Sequence, residues 1–420
     1  MINKTVLGNG IPVVTETVPS VHSVSIGIWV KAGFRYEKKV ENGISHFIEH
    51  MLFKGTEKYT AREIAKVIDS VGGVLNAFTS KEYTCFYVKV LSQHLCLAID
   101  LLSNIFFDSL FKQEEIEKER NVIIQEINMV KDTPDEYIQD IFNQCYFDGH
   151  PLGYSILGEL ETVQHFGRND IVGFFNREYS IPERIIISAA GNIEHRDLLE
   201  EIEKRFGHFN GRASEPEENS FLPERNVSFH YRELEQVHVC LGTAGLSQVD
   251  PGRHALYILN AILGGSMSSR LFQEIRENHG LAYSIYSFMA SFYDTGLFGV
   301  YMGVRRETVK DSLNIVLKEI RDMRDTKVDT AELCNAKEQL KGNMLLALES
   351  TDSRMSRLAK CEMYYNKYIP IEEVMRDIDE VTSETLQELA QSIFRDEYFT
   401  YTFLGPVKEE NIPPEMLNLS

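Results

Sequence analysis

The chain is 420 residues long, more than one ordinary hydrophobic core organises, so two or more domains are expected. Its 43% hydrophobic and 25% charged residues exclude a fibrous or disordered chain. Sixty-three acidic residues against 43 basic ones leave a net charge of −20, which argues against nucleic acid as a partner, and no apolar run is long enough to make a membrane one.

Residues 1–7 show neither a signal-peptide apolar stretch nor an Arg-rich leader, and the expectation is a cytoplasmic protein. Segments 5–8 and 11–14 flank Asn9-Gly10, a dipeptide suited to positive φ, and so predict a hairpin. A strand is predicted over 24–30, followed by helical periodicity over 42–53 and 61–70. Gly72-Gly73 breaks that pattern ahead of two strand-like runs, 74–79 and 83–91. Amphipathic helices are predicted near 93–108, 112–131 and 135–147, and a strand over 184–190. The polar, aperiodic stretch 211–220, with Gly211 and Pro216, is the best linker in the sequence. Beyond it the pattern restarts with a strand over 237–241 and helices over 253–263 and 268–278, on either side of Gly264-Gly265. Strands over 281–289 and 296–303 and helices over 306–322 and 329–350 complete it. Cys85, Cys96, Cys145, Cys240, Cys334 and Cys361 form no C-x-x-C pair and read as reduced, mostly buried small hydrophobes.

The repeated order predicts an α+β fold of two duplicated units, each a mostly antiparallel sheet with helices packed on one face. The expected division is an N-terminal domain over 1–210, a linker over 211–224 and a homologous C-terminal domain over 225–420. The copies differ at one telling place among others. The first carries His46, Glu49 and His50 where the second has Ala255, Ile258 and Leu259. A purely structural role does not require that asymmetry.

His46 and His50 stand at i and i+4, on one helical face with Cβ atoms about 5–6 Å apart. Two imidazoles one turn apart can converge on a tetrahedral ion, which suits Zn2+. Glu49 reaches the same face but is displaced around it, where it addresses a water rather than the ion. This H-x-x-E-H spacing is a described zinc-enzyme motif. A solvated polar face is the other reading, and a third candidate ligand weakens it. In the acidic helix over 114–127, Glu126 is flanked by Ile123, Ile124 and Ile127, where an unpaired carboxylate is costly. Glu119 lies seven residues earlier, two turns up the same face.

On these residues the chain resembles the pitrilysin-type (inverzincin) metallopeptidases, and within them the processing-peptidase branch, along almost its whole length. The resemblance implies a mitochondrial-processing-peptidase-like metallohydrolase fold and one Zn2+ per chain. The ligands it implies are His46, His50 and Glu126, which stands 76 residues after His50 at the family's third ligand position. It also implies Glu49 as general base towards a metal-activated water, and Glu119 as a supporting acid. Residues 72–79 are similar to the family's strand beside the metal, whose edge binds substrate backbone, with Asn76 and Ala77 facing the peptide. An ordinary sheet strand is the other reading of those two. Residues 271–283 resemble the segment that brings an Arg and a Tyr, seven apart, to the active site, and Arg276 and Tyr283 keep the spacing. There the alternative is a surface ion-pair arginine and a core tyrosine.

The activity so implied is zinc-dependent endopeptidase action on peptides or unfolded segments inside a clamshell chamber. One chain supplies half of such a clamshell, so a partner is implied. A homodimer is the economical arrangement, a heterodimer the other, with Arg276 and Tyr283 acting on the partner's metal site. The rival reading is a catalytically silent or hetero-partner-dependent assembly subunit of the same fold, and the intact metal motif ranks it lower. The expected setting is a bacterial cytoplasm.

Overall fold

A computed structural model describes residues 1–209, 211 and 221–419, so most of the expected linker, 212–220, lies outside the described residues. The chain divides into two compact units, each of which takes a segment from the other half of the sequence. The first combines Met1–Met129, the run beginning at Tyr154, and Leu346–Tyr368. The second combines Val130–Gly153, the run ending at Leu345, and the stretch from Ile369 onward.

The first unit is built on six strands: β1 (Ile2–Val6), β2 (Pro12–Thr17), β3 (Ser23–Val30), β4 (Val74–Thr79), β5 (Thr84–Leu91) and β6 (Ile185–Gly191). Their order is β1-β2-β6-β3-β5-β4, and only β2 and β6 run parallel. The predicted hairpin is β1–β2, and Gly10 supplies its positive φ of 95°. Alternation along the strands sorts the two faces. Ile26, Ile28, Phe86, Val88 and Ile187 join a core with apolar residues of α1 (Ile44–Leu52), α2 (Ala61–Ser70), α3 (Leu95–Phe107) and α4 (Gln113–Asp132). Trp29, Cys85, Ile186 and Ala190 point the other way, onto Met355, Leu358 and Ala359 of the helix Thr351–Tyr365. Ion pairs from Lys89 to Asp352, Arg354 to Glu16 and Lys4 to Glu362 fasten that helix to the sheet.

The second unit repeats the plan with β7 (Asn226–Tyr231), β8 (Val237–Ala244), β9 (Ala282–Ser291), β10 (Gly296–Val304) and β11 (Thr400–Gly405). Here the order is β7-β11-β8-β10-β9, parallel only between β7 and β11. Val239, Leu241, Val300 and Phe403 pack with the helices Arg253–Leu263 and Val309–Asp325. Cys240, Leu297, Tyr301 and Leu404 on the opposite face meet Ile138, Ile141 and Phe142 of α5 (Pro134–Tyr146). So helices cover one face of each sheet as expected, and one further helix, contributed by the other half of the sequence, covers the second face.

The duplicated α+β architecture is therefore as the sequence predicts, with local differences. The segment over 268–278 winds as a π-helix through Phe272–Asn278 rather than as an α-helix. Cys96 and Cys334 are exposed, although all six cysteines are free. The helix Thr351–Tyr365 and strand β11 lie beyond the last predicted element. Among the described residues no helix is long and apolar enough to cross a membrane.

Candidate metal centre

The centre is carried by α1, a helix of nine residues that is too short to hold its pose on intrinsic propensity. Its N-cap, Gly43, sits at φ 94° and has no side chain to offer the helix. Glu37 fills that role from outside, its carboxylate accepting from the N–H groups of Gly43 (2.8 Å) and Ser45 (2.8 Å) and from Asn42 Nδ2 (3.2 Å). Gly43 also lies flush against Gly158, where an added Cβ would come within 2.7 Å of the glycine Cα. Ile44, Phe47, Ile48, Met51 and Leu52 are buried beneath it, leaving His46, Glu49 and His50 on the remaining face.

Both histidines aim Nε2 at one oxygen. His46 Nε2 and His50 Nε2 each lie 3.7 Å from Oε2 of Glu126, which α4 brings up on the turn between buried Ile123 and Ile127. Ligand atoms of the three residues all fall within 4.8 Å of one another. Zn2+ with bonds of about 2.0–2.1 Å has ligand-to-ligand edges of roughly 3.4 Å, so the two edges to Glu126 have only a few tenths of an ångström to close. The donors also suit the ion chemically, being two imidazole nitrogens and one carboxylate oxygen. Burial, with His50 as a lesser contributor, lowers the His46 pKa to about 3, which leaves a neutral imidazole with a lone pair to give. Its side chain is 11% exposed, and Nδ1 is buried without a hydrogen-bond partner.

The surrounding shell treats the two imidazoles unequally. His50 Nδ1 lies 3.0 Å from Oε2 of Glu119, and Glu119 Oε1 is 2.6 Å from Lys54 Nζ. Burial alone would raise the Glu119 carboxyl, yet the bonds from His50 and Lys54 hold it below its ordinary value. An ionised Glu119 only accepts, so the His50 Nδ1 carries the proton and Nε2 keeps its lone pair. Glu49 is not a member of the ligand group; its Oε2 accepts from Thr79 Oγ1 at 2.6 Å, from the last residue of β4. Burial raises the Glu49 pKa, with the Thr79 bond opposing. Thr79, Lys54 and Glu37 were not singled out from sequence. Lys54 alone had a signal there, since His46, His50 and Lys54 are spaced by four.

β4 is the edge strand of its sheet. Asn76 is exposed and Ala77 is buried, on opposite faces. The Ala77 N–H is bonded by Asn76 Oδ1 at 2.8 Å, which places it on the free edge rather than in the ladder with β5. In the second unit Arg276 is layered between two rings, its guanidinium carbon 4.8 Å from the Phe272 centroid and 4.9 Å from that of Tyr283. Tyr283 is 80% exposed, which removes the core-tyrosine alternative. The nearest carboxylate contact of Arg276 is a loose 3.8 Å to the adjacent Glu277. At the positions equivalent to His46, Glu49 and His50, Ala255, Ile258 and Leu259 are buried apolar residues.

A duplicated α+β chain with a metal-ligand set in its first copy and a plain hydrophobic helix in its second is the two-domain metallopeptidase class. Comparison with known proteins makes this specific. Residues 12–160 match the family model Insulinase (Peptidase family M16) and residues 165–340 match Peptidase M16 inactive domain. The chain belongs to peptidase family M16. It is 41% identical over 400 residues to an uncharacterised zinc protease of Bacillus subtilis, covering 95% of this chain and 97% of that one. A similarly named protein of Streptomyces coelicolor is 37% identical over 418 residues, covering 97% and 90%. Among solved structures, a protease from Helicobacter pylori superposes with a TM-score of 0.89 at 22% identity, over 96% of this chain and 99% of that one. A chain of complex III2 from Candida albicans gives 0.86 at 22% identity, over 100% and 99%. These two share the fold.

Proposed function

We propose that the chain is a zinc-dependent endopeptidase that cleaves peptides or unfolded segments, holding one Zn2+ through His46, His50 and Glu126. The observation that carries this is the convergence of both Nε2 atoms on Glu126 Oε2, with Glu49 outside the ligand group and held by Thr79. Zinc, when bound, supplies Lewis-acid polarisation of a carbonyl and acidification of water. Glu49 takes the proton of the attacking water on its carboxylate and returns it to the leaving amine, and Thr79 fixes where that carboxylate points. The free edge of β4 aligns the substrate backbone through Asn76 and Ala77 by strand addition. Tyr283 donates to the developing oxyanion and Arg276 orients substrate, each acting on the zinc site of a second copy in a homodimer. The bacterial relatives support a bacterial setting, and the compartment we assign is the cytoplasm.

The test is cleavage of a quenched fluorogenic peptide library by the purified chain, with removal of metal by a chelator and add-back of zinc. Cleavage that zinc restores is the expected result. Full zinc occupancy without cleavage would move the reading to an assembly subunit or one awaiting a different partner, and absence of zinc would sink the site.

A further inference from the structure

We infer that Lys54 is a positioning residue of the metal centre: its ammonium fixes the Glu119 carboxylate, which in turn sets the His50 ring in its ligating orientation. This rests on the metal-centre reading above and extends it to a residue outside the ligand set.

Lys54 lies just past the end of α1, with its N–H bonded to Met51 O, so its backbone is tied to the last turn of the helix that carries both histidines. His46, His50 and Lys54 are spaced by four, and the stripe continues from the two imidazoles to the ammonium. Glu119 faces that stripe from α4 and is 5% exposed. Its two oxygens are divided between Lys54 Nζ at 2.6 Å and His50 Nδ1 at 3.0 Å. A buried carboxylate with one oxygen unpaired is costly and has no reason to keep its rotamer. The ammonium therefore does two things: it balances the charge of Glu119, and it holds the second oxygen at the Nδ1 edge of the His50 ring.

The contrast with His46 shows why this arm matters. Among the described residues His46 Nδ1 has no hydrogen-bond partner, and packing orients the ring. Only the His50 ring is aligned by a hydrogen-bond chain, so the aim of the pair at Glu126 depends on Glu119 and, behind it, on Lys54. A plain ion pair tying α1 to α4 is the competing account, and it differs in what it affects. It would alter the stability of the zinc-free fold and leave zinc affinity alone.

The experiment measures the zinc dissociation constant, by competition with a chromophoric chelator, and the melting temperature of the zinc-free protein. The chains are the unaltered protein, Lys54→Met and Lys54→Arg. Lys54→Met is expected to weaken zinc binding by about 10-fold, the low end of the range for losing the direct partner of a ligating histidine, because Lys54 acts one bond further out. Lys54→Arg restores most of the affinity; zinc-free melting falls in Lys54→Met, where Glu119 loses its balancing charge, and the affinity is read well below that melting point, on folded protein. Unchanged zinc affinity in Lys54→Met overturns the inference, as does a loss that Arg fails to restore and that tracks a fall in zinc-free melting. Should Lys54→Met fail to fold, Glu119→Gln interrupts the same chain one bond later, and unchanged zinc affinity there overturns it equally. An unaltered chain that binds no zinc removes the metal-centre reading itself, and this inference with it.

Discussion

Glu49 is the residue whose replacement separates holding zinc from using it. It lies outside the group of mutually close ligand atoms, so Glu49→Gln is expected to keep zinc at full stoichiometry and to lower kcat by about 10²–10⁴-fold. Normal turnover in that variant would remove Glu49 from the mechanism. Glu37 makes a different kind of demand. Its burial raises the carboxyl to about 7 despite the Ser45, Gly43 and Asn42 donors around it. A folded-state pKa above the unfolded value gives stability that is complete below the unfolded pKa, near 4.5, and is lost as pH rises through about 7. Melting of the zinc-free chain should therefore fall between pH 5 and pH 7.5, by up to about 3 kcal/mol from this group. Glu37→Gln should flatten that slope; an identical slope in both proteins would mean that Glu37 is ionised in the fold throughout. Of these residues, His46, Glu49 and His50 were legible because spacing along one helix needs no knowledge of the rest of the chain. Glu126 needed its apolar neighbours and a family likeness. Thr79 was illegible, because its hydroxyl meets Glu49 from 30 residues away and a threonine ending a strand carries no mark of that.

At the level of the element, β4 decides whether backbone can be added to the sheet. The Ala77 N–H faces the open edge and is closed off by the side chain of its own neighbour, Asn76. Proline is tolerated on an edge strand where the N–H faces outward. On the strand-addition reading, Ala77→Pro should raise KM about tenfold or more while melting stays within a few degrees. An unchanged KM would mean that substrate backbone is read elsewhere. The segment that carries Arg276 shows where periodicity stops being informative. Apolar spacing over 268–278 says helix, and the chain does wind there, but as a π-helix over Phe272–Asn278. Such turns recur at functional sites because they re-aim a side chain, and here Arg276 comes to rest between Phe272 and Tyr283. The extra i→i+5 bonding depends on what the turn packs against, which no local pattern records.

For the whole molecule, the duplication was readable from the repeated order of elements and the exchanged helices were not. A helix reads the same in sequence whichever sheet it will cover, and α5 and the helix Thr351–Tyr365 each end up on the sheet of the other half. A fragment holding residues 1–210 alone therefore leaves Trp29, Cys85, Ile186 and Ala190 without their cover. It should bind hydrophobic dyes and aggregate, and adding a peptide that spans 346–368 should relieve this. A monodisperse fragment with a cooperative melt would contradict the packing described. The homodimer reading has its own test. Mixing Glu49→Gln chains with Tyr283→Phe chains gives mixed dimers in which one site of two is intact, so about a quarter of the unaltered activity should return. Two preparations that stay inactive when mixed would place Tyr283 in cis, and a Tyr283→Phe chain active by itself would take it out of the reaction.

The exchanged helices also bear on heredity. A gene for this chain looks like two tandem copies that recombination could cut apart at the midpoint and re-pair with a homologous half. The protein does not come apart there. Any new second half must bring a helix whose Met355, Leu358 and Ala359 positions fit the first half's sheet, and any new first half must bring a matching α5. Half-gene shuffling is thus penalised at two packing surfaces, and the two halves are constrained to diverge as a pair.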